Sequence, residues 1–106
     1  MNSEDACKFT DHICRLAPVI PVLVIEDATI AEPLAEALIS GGLPTLEVTL
    51  RSSAALDAIK AMSKVAGATV GAGTLLSGQD VRAAKEAGAV FGVSPGATDS
   101  LLQACE

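Results

Sequence analysis

The chain has 106 residues, 50% of them hydrophobic and only 19% charged, so it can build a core and does not read as a disordered tail. A formal charge of -6 and a pI near 4.6 argue against a nucleic-acid surface, which needs the clustered Lys and Arg that this sequence lacks. Cys7, Cys14 and Cys105 are odd in number, far apart and free of any Cys-x-x-Cys pair, which favours reduced thiols over a zinc site or a disulfide framework.

Residues 1–17 are expected to hold a helix, near Glu4 to Leu16. Glu4, Asp5 and Lys8 stand where a secretory leader would need a basic stretch and then a long apolar run. The longest apolar run, Ala17 to Ile25, is broken by Pro18 and Pro21 and is too short to cross a bilayer, so a cytoplasmic protein without a membrane partner is predicted. Residues 18–106 then alternate regularly. Val19 to Val24 reads as a first strand. Thr29 to Glu32 has capping-box spacing, and Ile30, Leu34, Ala37 and Leu38 repeat at helical period until Gly41-Gly42. Leu46 to Leu50 reads as a second strand, and Ala54 to Val65 as a helix burying Leu56, Ile59, Ala61 and Met62. Thr69 to Gly73 is the third strand, and Ser77 opens a helix that runs to Gly88. Ala89 to Val93 is the fourth strand, and Thr98-Asp99 caps a last helix. Short strands alternating with longer helices are the signature of βα units with parallel pairing. Four such units suit either a small doubly wound sheet or half of an eight-stranded barrel, and periodicity does not choose between them.

The second strand carries the chemistry. Strand side chains alternate faces, so Glu47, Thr49 and Arg51 share one face and Leu46, Val48 and Leu50 the other. In a sheet covered by helices on both faces, Glu47 would lie in a dry layer at a considerable cost. In a barrel the same face lines the lumen, where water and ligands reach a carboxylate and a guanidinium. The competing explanation is a Glu47–Arg51 ion pair, or a pair of either with a neighbouring strand, that only satisfies polar groups. Gly71-Ala72-Gly73-Thr74 ends the third strand without the third glycine of a dinucleotide fingerprint or the Gly-Lys-Ser/Thr of a phosphate loop. Its small residues suit close packing or a tapering barrel, whereas the Thr74 hydroxyl sits at the strand end, where barrel active sites form. Ser94-Pro95-Gly96 follows the fourth strand at the equivalent position. His12, the sole histidine, is assigned to the helix surface.

The segments Pro18-Val19-Ile20-Pro21-Val22, Leu46 to Arg51, Val70 to Thr74 and Val93-Ser94-Pro95-Gly96 together resemble the 2-keto-3-deoxy-6-phosphogluconate (KDPG) and 4-hydroxy-2-oxoglutarate aldolase family, from about Pro18 onward. The resemblance implies a (β/α)8 TIM barrel, of which this chain supplies the N-terminal helix and the first four βα units, and a trimeric assembly. It also implies a class I aldolase needing neither metal nor organic cofactor. In that chemistry a lysine attacks the substrate ketone to form a protonated Schiff base, and carbon-carbon cleavage releases glyceraldehyde 3-phosphate and leaves the enamine of pyruvate. By resemblance Glu47 moves protons, Arg51 and Thr74 bind the pyruvate carboxylate region, and Pro95 lies beside the pyruvate. The partners so implied are small oxoacids, namely pyruvate and a phosphorylated sugar acid. Lys8, Lys60, Lys64 and Lys85 all fall on expected helix surfaces, so the Schiff-base lysine is expected on a sixth strand beyond Glu106. The alternative is a non-catalytic, self-associating half-barrel that at most binds oxoacids weakly.

Overall fold

The computed structural model describes residues 2–106. Helix α1 spans Ser3–Arg15, where Asn2 caps the first turn by accepting the Asp5 N–H at 2.8 Å. Three βα units follow: β1 (Val22–Leu23) with α2 (Ala31–Ser40), β2 (Thr45–Thr49) with α3 (Ala55–Ser63), and β3 (Thr69–Gly73) with α4 (Gly78–Ala87). A fourth unit pairs β4 (Phe91–Gly92) with α5 (Asp99–Cys105). All strand pairings are parallel and the order is β1-β2-β3-β4, each strand beside its neighbour in sequence.

That order answers the question periodicity left open. A doubly wound sheet reverses direction at a switch point to send helices to both faces, whereas right-handed crossovers that never reverse deposit every helix on one face. Here α2 packs on α3, α3 on α4 and α4 on α5. The core between helices and sheet takes Leu46, Val48, Val70 and Ala72 from the strands and Ala31, Ala35, Ala55, Ala58, Ile59, Met62, Val81 and Ala84 from the helices. Glu47 and Thr49 point to the other face, the one that would line the lumen of a barrel.

The two central strands follow their expected spans closely; the two edge strands are shorter. The first is limited to Val22–Leu23 because Pro21 has no N–H to give the ladder, although its carbonyl still accepts the Glu47 N–H at 3.0 Å. The fourth keeps ladder bonds from the Val90 N–H to Val70 O and from the Val93 N–H to Ala72 O, both 2.9 Å, around its short regular core. The capping box expected at Thr29 and Glu32 does not form. Residues Ala28–Ile30 make a 3-10 turn capped by Asp27, which accepts the Thr29 N–H at 3.0 Å, and α2 continues from it without a side-chain cap. Ile30 therefore precedes α2 and is exposed, as is Ala37; the buried line is Ala31 and Ala35, with Leu34 and Leu38 partly covered. In α3 the same rotation exposes Leu56 and buries Ala55 and Ala58 beside the expected Ile59 and Met62. Alanine occupies the closest approach to the sheet because a larger side chain would hold the helix off.

Candidate active site

In a parallel sheet the C-terminal ends of all strands meet along one rim, and here β2 delivers Arg51, β3 delivers Thr74 and β4 delivers Pro95 to that rim. Glu47 lies deeper, in the middle of β2, and is 8% exposed. Its partners across the sheet are Val22 on β1 and Gly71 on β3. The carboxylate leans up the sheet toward the rim: a Cβ at Gly73 would overlap Oε1 and come within 2.8 Å of Cδ. Glu47 thus rests against the residue directly before Thr74.

The ion pair weighed as an alternative is absent. Among the described residues the salt bridges are Lys8–Glu4 and Arg15–Asp11, both on α1, so Glu47 and Arg51 are not joined. Burial raises the Glu47 carboxyl above its ordinary value of 4.5, and neither a hydrogen bond nor a charge counters it. A nearly buried carboxylic group left unpaired is costly to maintain, and such groups concentrate where protons are moved. Arg51 is exposed and lies in the turn after β2, outside the strand alternation that placed it beside Glu47 in the sequence. Below the rim, Thr49 donates its hydroxyl to Leu23 O at 3.2 Å, and Ser52 donates to Ile25 O, tying the end of β2 to the segment after β1.

Among the described residues Thr74 is the one non-glycine residue with positive φ, 61°. For a β-branched residue this is strained, and its effect is topological. Straight alternation would put Leu75 on the face of Gly73. The left-handed turn at Thr74 instead swings Leu75 into the helix-side core, where it is 3% exposed, packs over Gly92 and donates its N–H to Val93 O at 3.1 Å. Thr74 remains at the rim, half-buried. Pro95 is exposed, in a turn closed by the Ser94 hydroxyl donating to Gly96 O, and it lines a shallow pocket with Leu75, Thr98 and Leu101, apart from Glu47.

Two residues at this site carry no role in the sequence reading. The sequence reads Gly73 only as part of a small-residue strand end and Phe91 only as strand, yet the first makes room for Glu47 and the second covers Gly71. The available signal was a Gly-x-Gly alternation inside a strand, since glycine weakens strands and marks a close approach of other groups.

The family model for KDPG and KHG aldolase matches residues 10–106. A 2-dehydro-3-deoxy-phosphogluconate aldolase of Zymomonas mobilis is 59% identical over 91 residues, which cover 86% of this chain and 44% of that protein. The crystal structure of the Zymomonas mobilis KDPG aldolase with 3-phosphoglycerate superposes with a TM-score of 0.85 at 57% identity, over 89% of this chain and 45% of that one. A KDPG aldolase from Legionella pneumophila, with pyruvate captured as a covalent carbinolamine intermediate, gives a TM-score of 0.81 at 42% identity, over 87% of this chain and 45% of that one. The chain therefore spans under half the length of the relatives it matches. With the matched region, the sequential parallel sheet and the rim all in agreement, the chain belongs to the KDPG and KHG aldolase family and has the α/β barrel fold of its members over the part it covers.

Proposed function

We propose that this chain is the proton-handling half of a Schiff-base aldolase that cleaves KDPG to pyruvate and glyceraldehyde 3-phosphate. The observation that carries the reading is Glu47, an unpaired carboxyl held nearly buried on the open face of β2 with its affinity for protons raised. A carboxyl with raised proton affinity can both give and take a proton. It would protonate the departing hydroxyl as the carbinolamine loses water, take the proton of the substrate hydroxyl that becomes the aldehyde as the carbon-carbon bond breaks, and give that proton to the enamine carbon of pyruvate. Arg51 and Thr74 would hold the carboxylate of the substrate, a guanidinium matching it with two parallel bonds, and Pro95 would wall the pyruvate. Residues 18–106 would form the first four βα units of a single barrel domain, in a trimeric, cytoplasmic enzyme. The attacking lysine would come from a segment beyond Glu106, because Lys8, Lys60, Lys64 and Lys85 are all exposed on helices or helix ends.

Complementation tests this. The 106-residue chain is mixed with the segment of the Zymomonas mobilis relative that it does not match, and pyruvate release from KDPG is followed by a coupled dehydrogenase. Turnover is expected, with borohydride trapping a pyruvyl adduct on the added segment alone. A stable complex without turnover would sink the functional reading, and an adduct on Lys8, Lys60, Lys64 or Lys85 would sink the lysine argument.

A further inference from the structure

Above Thr69, strand β3 presents only hydrogen to the face that bears Glu47, since Val70 and Ala72 point into the core and Gly71 and Gly73 alternate with them. Both vacated positions are filled from neighbouring strands. The Phe91 ring, from β4, lies where a Cβ of Gly71 would be, with its Cε2, Cζ and Cδ2 atoms all over that point. The Glu47 carboxylate, from β2, lies where a Cβ of Gly73 would be. Alternate positions along one face of a strand are about 7 Å apart, so the ring and the carboxylate lie side by side across β3. Register reinforces this, because Glu47, Gly71 and Phe91 are successive Cα partners across three strands.

We propose that Gly71 and Gly73 form a floor without side chains, and that Gly73 and Phe91 are positioning residues that fix where the Glu47 carboxylate lies and keep water from its flank. The proposal rests on the aldolase reading for its catalytic meaning but not for its geometry. The surroundings of Glu47 are otherwise neutral: β1, β3 and β4 contain no titratable side chain, and Arg51, the nearest charge along β2, is unpaired in the following turn. Burial is accordingly the sole cause of the raised Glu47 proton affinity, and these two residues supply burial on the β3 side. A Gly73 side chain would push the carboxylate off the strand into water. Loss of the Phe91 ring would open its flank.

The test is an infrared titration of the 106-residue chain, in which the carboxyl band of Glu47 is identified as the one lost in Glu47→Gln. This signal does not depend on turnover or on the size of the assembly. In Gly73→Ala the Glu47 midpoint is expected to fall toward its ordinary value of 4.5. Phe91→Ala, which removes atoms and introduces no overlap, should lower it too, while Phe91→Leu retains an apolar cover and most of the elevation. Gly41→Ala, at the end of α2 where a Cβ meets only ordinary contacts, should leave it unchanged. A parental midpoint in folded Gly73→Ala, or in Phe91→Ala should Gly73→Ala not fold, overturns the proposal. A fallen midpoint in the variants, with no turnover by the parent chain after complementation, would instead overturn the aldolase reading and leave the floor standing.

Discussion

Glu47 and Thr74 both hold conformations or charges that the fold would be easier without. The folded Glu47 carboxyl keeps its proton above the ordinary value of 4.5. Between that value and its raised folded value the native state binds more protons than the unfolded chain, so stability falls as pH rises through this window. The contribution of the neutral acid is complete below 4.5 and is lost as pH rises through the raised folded value, above which an ionised group is left nearly buried. Glu47→Gln is therefore expected to be more stable than the parent above the raised folded value, with the gap closing as pH falls toward 4.5, as read by denaturant titration at several pH values. In the complemented enzyme the same variant should lose turnover by about 100- to 10,000-fold with little change in pyruvate binding, because the amide keeps the shape but cannot move a proton. Near-normal turnover would make Glu47 a structural residue. Thr74→Gly makes the parallel case for the backbone. Glycine adopts positive φ without the clash that costs other residues about 1 to 2 kcal/mol, so the variant should gain roughly 1 kcal/mol in stability while losing the hydroxyl. Equal or lower stability would mean that contacts of the Thr74 side chain outweigh the backbone strain.

At the scale of elements, caps decide where helices begin. Asp27→Ala should lower the melting temperature because it strips the acceptor of the Thr29 N–H and hydroxyl, the same bonds that hold the Asp27 carboxyl below its usual range. Glu32→Ala should leave the melting temperature unchanged, since no capping box uses Glu32; the reverse pattern would restore the capping box. The α4 start shows a sequence signal that was obeyed: Ser77 accepts the Asp80 N–H at 3.2 Å while Asp80 accepts the Leu76 N–H at 3.0 Å. Strands β2 and β3 were legible because each is flanked on both sides by partners, so a continuous ladder matches the run of strand-forming residues. Edge strands β1 and β4 have one partner each, and their regular spans shrink to the residues that partner engages. The helix faces were legible to within one position, the error coming from preferring Ile30 and Leu56 to the alanines that permit contact. In the site, the Glu47 position followed from alternation alone. The Thr74 turn and the Gly73 accommodation did not, because both depend on groups that meet only across strands.

For the whole molecule, the open sides of β1 and β4 decide behaviour in solution. Val19, Val22 and Val24 around β1 and Val90 and Val93 around β4 are large apolar side chains exposed at those sides, and a cleft of about 760 Å³ lies between α1 and the β4, α4 and α5 surface. Unpaired strand edges beside apolar surface recruit other chains. The 106-residue chain alone should therefore self-associate, and sedimentation across a wide concentration range should show mass rising with concentration; a compact monomer throughout would count against open edges of this kind. The sequential strand order has a further consequence, for the route by which the chain reaches this state. Pairings such as Val22 with Glu47 and Gly71 with Phe91 span one βα unit each, so no strand must wait for a distant stretch of chain. Loop closure is then inexpensive at every step and the topology favours rapid acquisition of structure. During synthesis each βα unit can dock on the one already made, the newest strand at each stage offering its free edge to the next.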